Sequence, residues 1–91
     1  MRLKTGVILT KLEEETVVVA VGEAGKAFRG MMKMNETAAF LTELLKEEQD
    51  EDGLVGHLLR EYQVDAETAR RNVRYVVNQL SELGLMETEN S

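Results

Sequence analysis

Between Ala66 and Leu83 the chain repeats its apolar residues with a helical period, and a helix of that length has to bury the resulting stripe against something. On a wheel of about 100° per residue, Ala66, Ala69, Val73, Val76, Val77, Leu80 and Leu83 share one arc of roughly 120°. Asp65 stands in the N-cap position, and Gly84 ends the pattern with Leu85 placed to pack back on Leu80, as in a Schellman terminus. Arg70 and Arg74 lie one turn apart on one shoulder of the arc, beside Val77. Asn72 and Gln79 occupy the other shoulder, and Arg71 and Tyr75 point further outward. Two guanidinium groups at this spacing next to an apolar edge suit a partner that brings a carboxylate beside a hydrophobic side chain. The plainer alternative is that Arg70 and Arg74 solvate a helix flank and pair with Glu67 or another nearby carboxylate, for a few tenths of a kcal/mol each.

The remaining segments supply what the helix can pack against. Val7 to Leu12 and Thr16 to Val21 are rich in β-branched residues and are separated by Glu13, Glu14 and Glu15, which reads as a hairpin. Gly22 to Gly30 holds three glycines around Ala24, Ala27 and Phe28, the pattern of a loop or short helical turn pinned by a buried Phe28. Gly30 to Met34 is a short third strand with period two: Met32 and Met34 share one face, and Met31 and Lys33 the other. Asn35 ends it and caps a helix over Glu36 to Glu47 that carries Phe40, Leu41, Leu44 and Leu45. Asp50 caps a second, with Leu54, Val55, Leu58, Leu59 and Tyr62 on one face. Gly53 and Gly56 cost that helix up to about 1 kcal/mol each relative to alanine, so fraying is expected there. Three strands followed by three helices, without proline, is an α+β domain.

At 91 residues the chain suits one domain, expected over residues 1–86, with a polar tail over 87–91. There is no cysteine, so neither disulfides nor thiolate ligands can hold it together. No stretch approaches the roughly 20 apolar residues of a membrane span, and the first residues carry too short an apolar run for a secretory signal, so a cytoplasmic protein is expected. The net charge of −6 argues against a general nucleic-acid binder. It is unevenly spread. Residues 1–34 are net +2, residues 35–65 net −7 and residues 66–91 net −1.

Nothing in the chain suggests catalysis, a resident metal or a cofactor. His57 is the single histidine, and the glycines of residues 22–30 match neither the P-loop nor the dinucleotide fingerprint. The acidic cluster Glu47, Glu48, Asp50, Glu51 and Asp52 lacks the twelve-residue calcium-loop pattern and reads as a solvated interhelical loop. It could also dock a basic patch on a partner enzyme, in which case binding would depend on salt.

Gly30-Met31 through Asn35-Glu36-Thr37, with Phe28 before and Leu41 after, resembles the PqqD family. The likeness continues through Val17-Val18-Val19, Gly22-Glu23-Ala24, Leu54-Val55 with Leu58-Leu59, Tyr62-Gln63-Val64-Asp65, Ala69-Arg70 and Leu83-Gly84-Leu85. The order and spacing of these motifs together carry the resemblance. It implies a winged-helix-like fold and a non-catalytic peptide chaperone, a RiPP recognition element, that binds the leader of a ribosomally made precursor peptide. The leader would lie between the third strand and the third helix. Carried onto this chain, the groove is expected to have Met31, Met32 and Lys33 on one wall and Arg70, Val73, Arg74 and Val77 on the other. The implied partner is a modifying enzyme, often a radical SAM protein. Two alternatives stand beside this reading: a winged-helix regulator that sets Arg70, Arg71 and Arg74 in DNA, and a homodimer formed through the third strand.

Overall fold

The computed structural model describes residues 1–87. β1 (Val7–Leu12) and β2 (Glu15–Ala20) form the expected hairpin, in register from Val7 against Ala20 to Leu12 against Glu15. β2 begins and ends one residue earlier than the sequence pattern suggests, because Leu12 and Glu15 close a two-residue turn. Glu13 takes a positive φ of 56° in that turn. Gly22–Ala27 is a six-residue helix, α1, held by a fully buried Ala24. β3 (Met31–Met34) pairs antiparallel with β2, giving the order β1-β2-β3 and leaving β3 at one edge of the sheet.

Each later helix begins on the cap foreseen for it. Asn35 Oδ1 accepts the Ala38 amide at 2.8 Å and opens α2 (Glu36–Leu44). Asp50 Oδ1 accepts from Gly53 at 2.7 Å and opens α3 (Glu51–Glu61). Asp65 Oδ1 accepts from Thr68 at 2.7 Å and opens α4 (Ala66–Glu82). These short polar side chains satisfy amides that have no acceptor inside the helix. α2 stops at Leu44, before the expected Glu47, since the last residues bond back over shorter spans: the Lys46 amide donates to Glu43 and the Glu47 amide to Leu44. α3 is continuous through Gly53 and Gly56, where fraying was expected, because Leu54, Val55 and Leu58 are buried beneath it. Leu59, expected on that buried face, is exposed instead.

α4 ends as a Schellman motif. The Leu85 amide donates to Leu80 O at 2.9 Å and the Gly84 amide to Ser81 O at 3.0 Å, with Gly84 at φ +76° and both leucines fully buried. The inner face of the sheet, with Val7, Leu9, Val18, Ala20 and Met34, covers Leu41, Leu45, Leu54, Leu58, Val73, Val76 and Leu80. Of the stripe foreseen on α4, Ala69, Val73, Val76 and Leu80 are buried, whereas Val77 and Leu83 are half-buried. Ala66, also expected inside, is exposed in the first turn, where the helix projects beyond its neighbours. At the far side, Leu3 bridges Met86, and the Glu87 amide donates to Arg2 O at 2.9 Å. The rest of the expected tail, 88–91, lies outside the described residues. Among the described residues no helix is long and apolar enough to cross a membrane.

Candidate functional site

Among the described residues β3 has a neighbour on one side only, so alternate amides and carbonyls of Met31–Met34 face outward without a strand partner. Its side chains divide as the register dictates. Met32 pairs with the fully buried Val18 and so faces the helices, where it is half-buried. Met31 and Lys33 point to the opposite, outer face. Met31 is 62% exposed there, and Lys33 Nζ lies 3.4 Å from Glu15. The three residues expected to form one wall are therefore split across the strand, one inward and two outward. Thr42 on α2 fixes the end of β3 by placing its hydroxyl 2.7 Å from Ala38 O and 3.3 Å from Met34 Sδ.

Beyond the C-terminal end of β3 a cleft of about 120 Å³ separates the β3–α2 junction from α4. Asn35, Thr37 and Ala38 line one side, and Asn72, Tyr75 and Val76 the other. Tyr75 is 63% exposed at its rim, while Val76 is buried at its floor. The flank of α4 turned toward the β3–α2 junction is thus the neutral polar one. The helical wheel alone marks Tyr75 only as outward-pointing; an aromatic ring on an otherwise polar helix face is the signal that singles it out.

Arg70 and Arg74 are on the opposite flank and meet α3. Arg70 Nη1 lies 2.5 Å from Glu51 Oε2 and 3.0 Å from Asp52 Oδ1, and Arg74 donates from Nε and Nη2 to the same Glu51 carboxylate at 3.1 to 3.2 Å. This is the pairing with a nearby carboxylate that the sequence left open, with Glu51 in place of Glu67. Val73 is 0% exposed and Val77 half-buried, so neither forms an open wall. The physical reason is the rotation of α4. Burying Ala69, Val73, Val76 and Leu80 against the sheet side leaves the Arg70 shoulder facing the first turn of α3, which is acidic and attracts it.

Hydrogen bonds from Arg74, and then Arg70, hold the Glu51 carboxyl below its ordinary value, and Glu51 in turn raises Arg70. The Thr68 amide does the same for the Asp65 carboxyl. A carboxyl whose folded pKa is depressed adds stability that is fully present above its unfolded value, near 4, and is lost as pH falls through the folded one. The melting temperature should accordingly fall on acidification below about pH 4.5. Glu51→Gln and Asp65→Asn should each lower the neutral-pH value and flatten that acid slope in thermal melts; slopes unchanged in both variants would contradict the assignment. At the other end of α2, Phe40 meets Tyr62 edge to face at 5.5 Å, and burial, helped by Glu36, raises the Tyr62 phenol.

The fold that carries this edge and cleft, taken as a whole, is shared with solved structures. One, described as TbiB1 in complex with the TbiA(beta) leader peptide, has 21% sequence identity, covers 100% of both chains and superposes with a TM-score of 0.76. Another, a lasso peptide synthetase B1 complexed with the leader peptide, has 24% identity over 92% of this chain and 93% of that one, with a TM-score of 0.70. Identities this low establish a shared fold. No curated protein matches the sequence. The family model for coenzyme PQQ synthesis protein D (PqqD) matches residues 11–86, from the end of β1 to the residue that bridges Leu3. That span takes in β2, β3, the cleft and all of α4, and on it the chain belongs to the PqqD family.

Proposed function

We propose that this chain is a non-catalytic chaperone that captures the leader of a ribosomally made precursor peptide as a fourth strand along β3 and presents the remainder to a modifying enzyme. The unpaired edge of Met31–Met34 beside the Tyr75 cleft is the observation that carries the reading. Membership of the PqqD family supports it, as does a fold shared with two proteins described in complex with leader peptides.

Backbone pairing supplies affinity for an extended peptide, and alternate side chains supply selectivity. A strand added to β3 would turn every second side chain outward, beside Met31 and Lys33, and the others inward, toward Met32 and the cleft. Methionine, unbranched and polarisable, adapts to varied apolar neighbours on both faces. Tethering the leader raises the effective concentration of the core segment at the enzyme's active site. A radical SAM protein is the proposed enzyme, and the cytoplasm the proposed compartment. The DNA-binding alternative loses two of its three arginines to Glu51 and Asp52.

Calorimetric titration with the precursor peptide encoded next to this chain tests the proposal. Saturable binding, with slowed amide exchange in Met31–Met34 and around Asn72–Val76, is the expected result. Binding that leaves the exchange of β3 unchanged would rule out strand addition.

A further inference from the structure

The face of the sheet turned away from the helical core carries Ile8 and Met31 in the open. Register sets Ile8, Val19 and Met31 side by side in one apolar row across the three strands, and the polar Thr10 and Lys33 in the next, on either side of Val17, which is 3% exposed. Ile8 is 42% exposed and Met31 62%, the exposed Val21 lies at the end of β2 beyond their row, and the exposed Leu12 stands at the turn, past Thr10 and Lys33. The uncovered face of an antiparallel sheet is ordinarily polar, and a contiguous apolar surface on a small domain marks a place of association.

Charge identifies what fits there. At the turn end, Glu13 and Glu14 are exposed, whereas Glu15 is taken up by Lys33. At the opposite end Arg29 is exposed with no carboxylate in ion-pair contact among the described residues, while Lys26 is occupied by Glu23. The strip is acidic at one end and basic at the other, with the Ile8–Val19–Met31 row between. Such a strip is complementary to itself. A two-fold axis lying in the interface and running across the strands lays the Ile8–Val19–Met31 row of one copy on that of the other and sets each acidic turn over the Arg29 end of the other copy.

We infer that the outer face of the sheet is a self-association surface whose occupant is a second copy of this chain. It is separate from the β3 edge and leaves both edges and both clefts of the pair open, so it does not depend on the leader-binding reading. It also differs from a dimer made by pairing third strands, which would close those edges.

Sedimentation velocity on the full chain, from micromolar to millimolar concentration, tests it. The expected mass rises from 10.2 kDa toward twice that value with concentration, and high salt opposes the rise. Ile8→Lys should weaken association at least tenfold without changing the melting temperature or the response to the leader in calorimetry. Glu14→Lys and Arg29→Glu should each weaken it, and the two together in one chain should restore it. A native chain that stays at 10.2 kDa throughout overturns the inference, and then points to another protein as the occupant of the face. So does a dimer that survives Ile8→Lys, or one that a leader peptide dissolves, since that dimer would be paired through β3.

Discussion

Tyr75→Ala is expected to bind the leader about 10- to 30-fold more weakly than the native chain, while Arg70→Gln changes affinity by less than about twofold. The ring stands on the rim of the wall that α4 presents to the β3–α2 junction, with the buried Val76 and with Asn72 in the same wall. A tyrosine there offers a rigid apolar body and a hydroxyl that stays wet, and the loss of such an anchor in an interface centre costs about 2 kcal/mol. Because the side chain is mostly exposed, its removal should leave the melting temperature nearly unaltered, which separates a binding defect from a folding one. Arg70, by contrast, is held on the α3 side by Glu51 and Asp52, and a leader in the cleft would not reach it without breaking both contacts. Calorimetry of both variants against the same peptide decides between the flanks. Were Tyr75→Ala to bind normally and Arg70→Gln to fail, recognition would belong to the cationic side, as the family likeness first implied.

That reversal of flanks shows where sequence reasoning reaches and where it stops. Asn35, Asp50 and Asp65 were legible as caps because each acts on an amide three residues away, and Gly84 was legible because a left-handed residue followed by an apolar one completes a local motif. Strand pairing and the α+β order were legible from period and composition. α1 was only half so. Its glycines argue for a loop, and it is helical because Ala24 is wholly buried, which is a tertiary effect. A helical wheel gives α4 two shoulders but does not say which neighbour takes each one. That choice is made by the acidic first turn of α3, from residues 19 and 23 positions away from the arginines it binds. Likewise, alternation correctly divided Met32 from Met31 and Lys33, but only the packing of its cross-strand partner Val18 in one cluster with Val73, Val76 and Leu80 shows which of the two faces looks toward the helices.

Leu80→Ala is expected to destabilise the domain by about 2 to 5 kcal/mol, the largest single effect on folding foreseen here. Leu80 is fully buried in the cluster that joins the inner face of the sheet to α2, α3 and α4, so truncation removes contacts on several sides and leaves a cavity that the surrounding elements cannot all close. Stability of about 0.05–0.15 kcal/mol per residue is usual, so a loss of this size takes a large fraction of what a domain of 91 residues has. The carbonyl of residue 80 still accepts the Leu85 amide in the variant, so the Schellman terminus persists and the loss reports packing alone. Leu59→Ala on α3 is the matched control. The sequence pattern put Leu59 on the buried face, the structure puts it in solvent, and its truncation should therefore cost no more than about 0.5 kcal/mol. In urea unfolding the first variant should shift the midpoint strongly at an unchanged m-value, and the second should barely shift it. Equal shifts would mean that α3 is rotated from the position described, which would also move Glu51 away from Arg70 and Arg74 and return that flank of α4 to solvent.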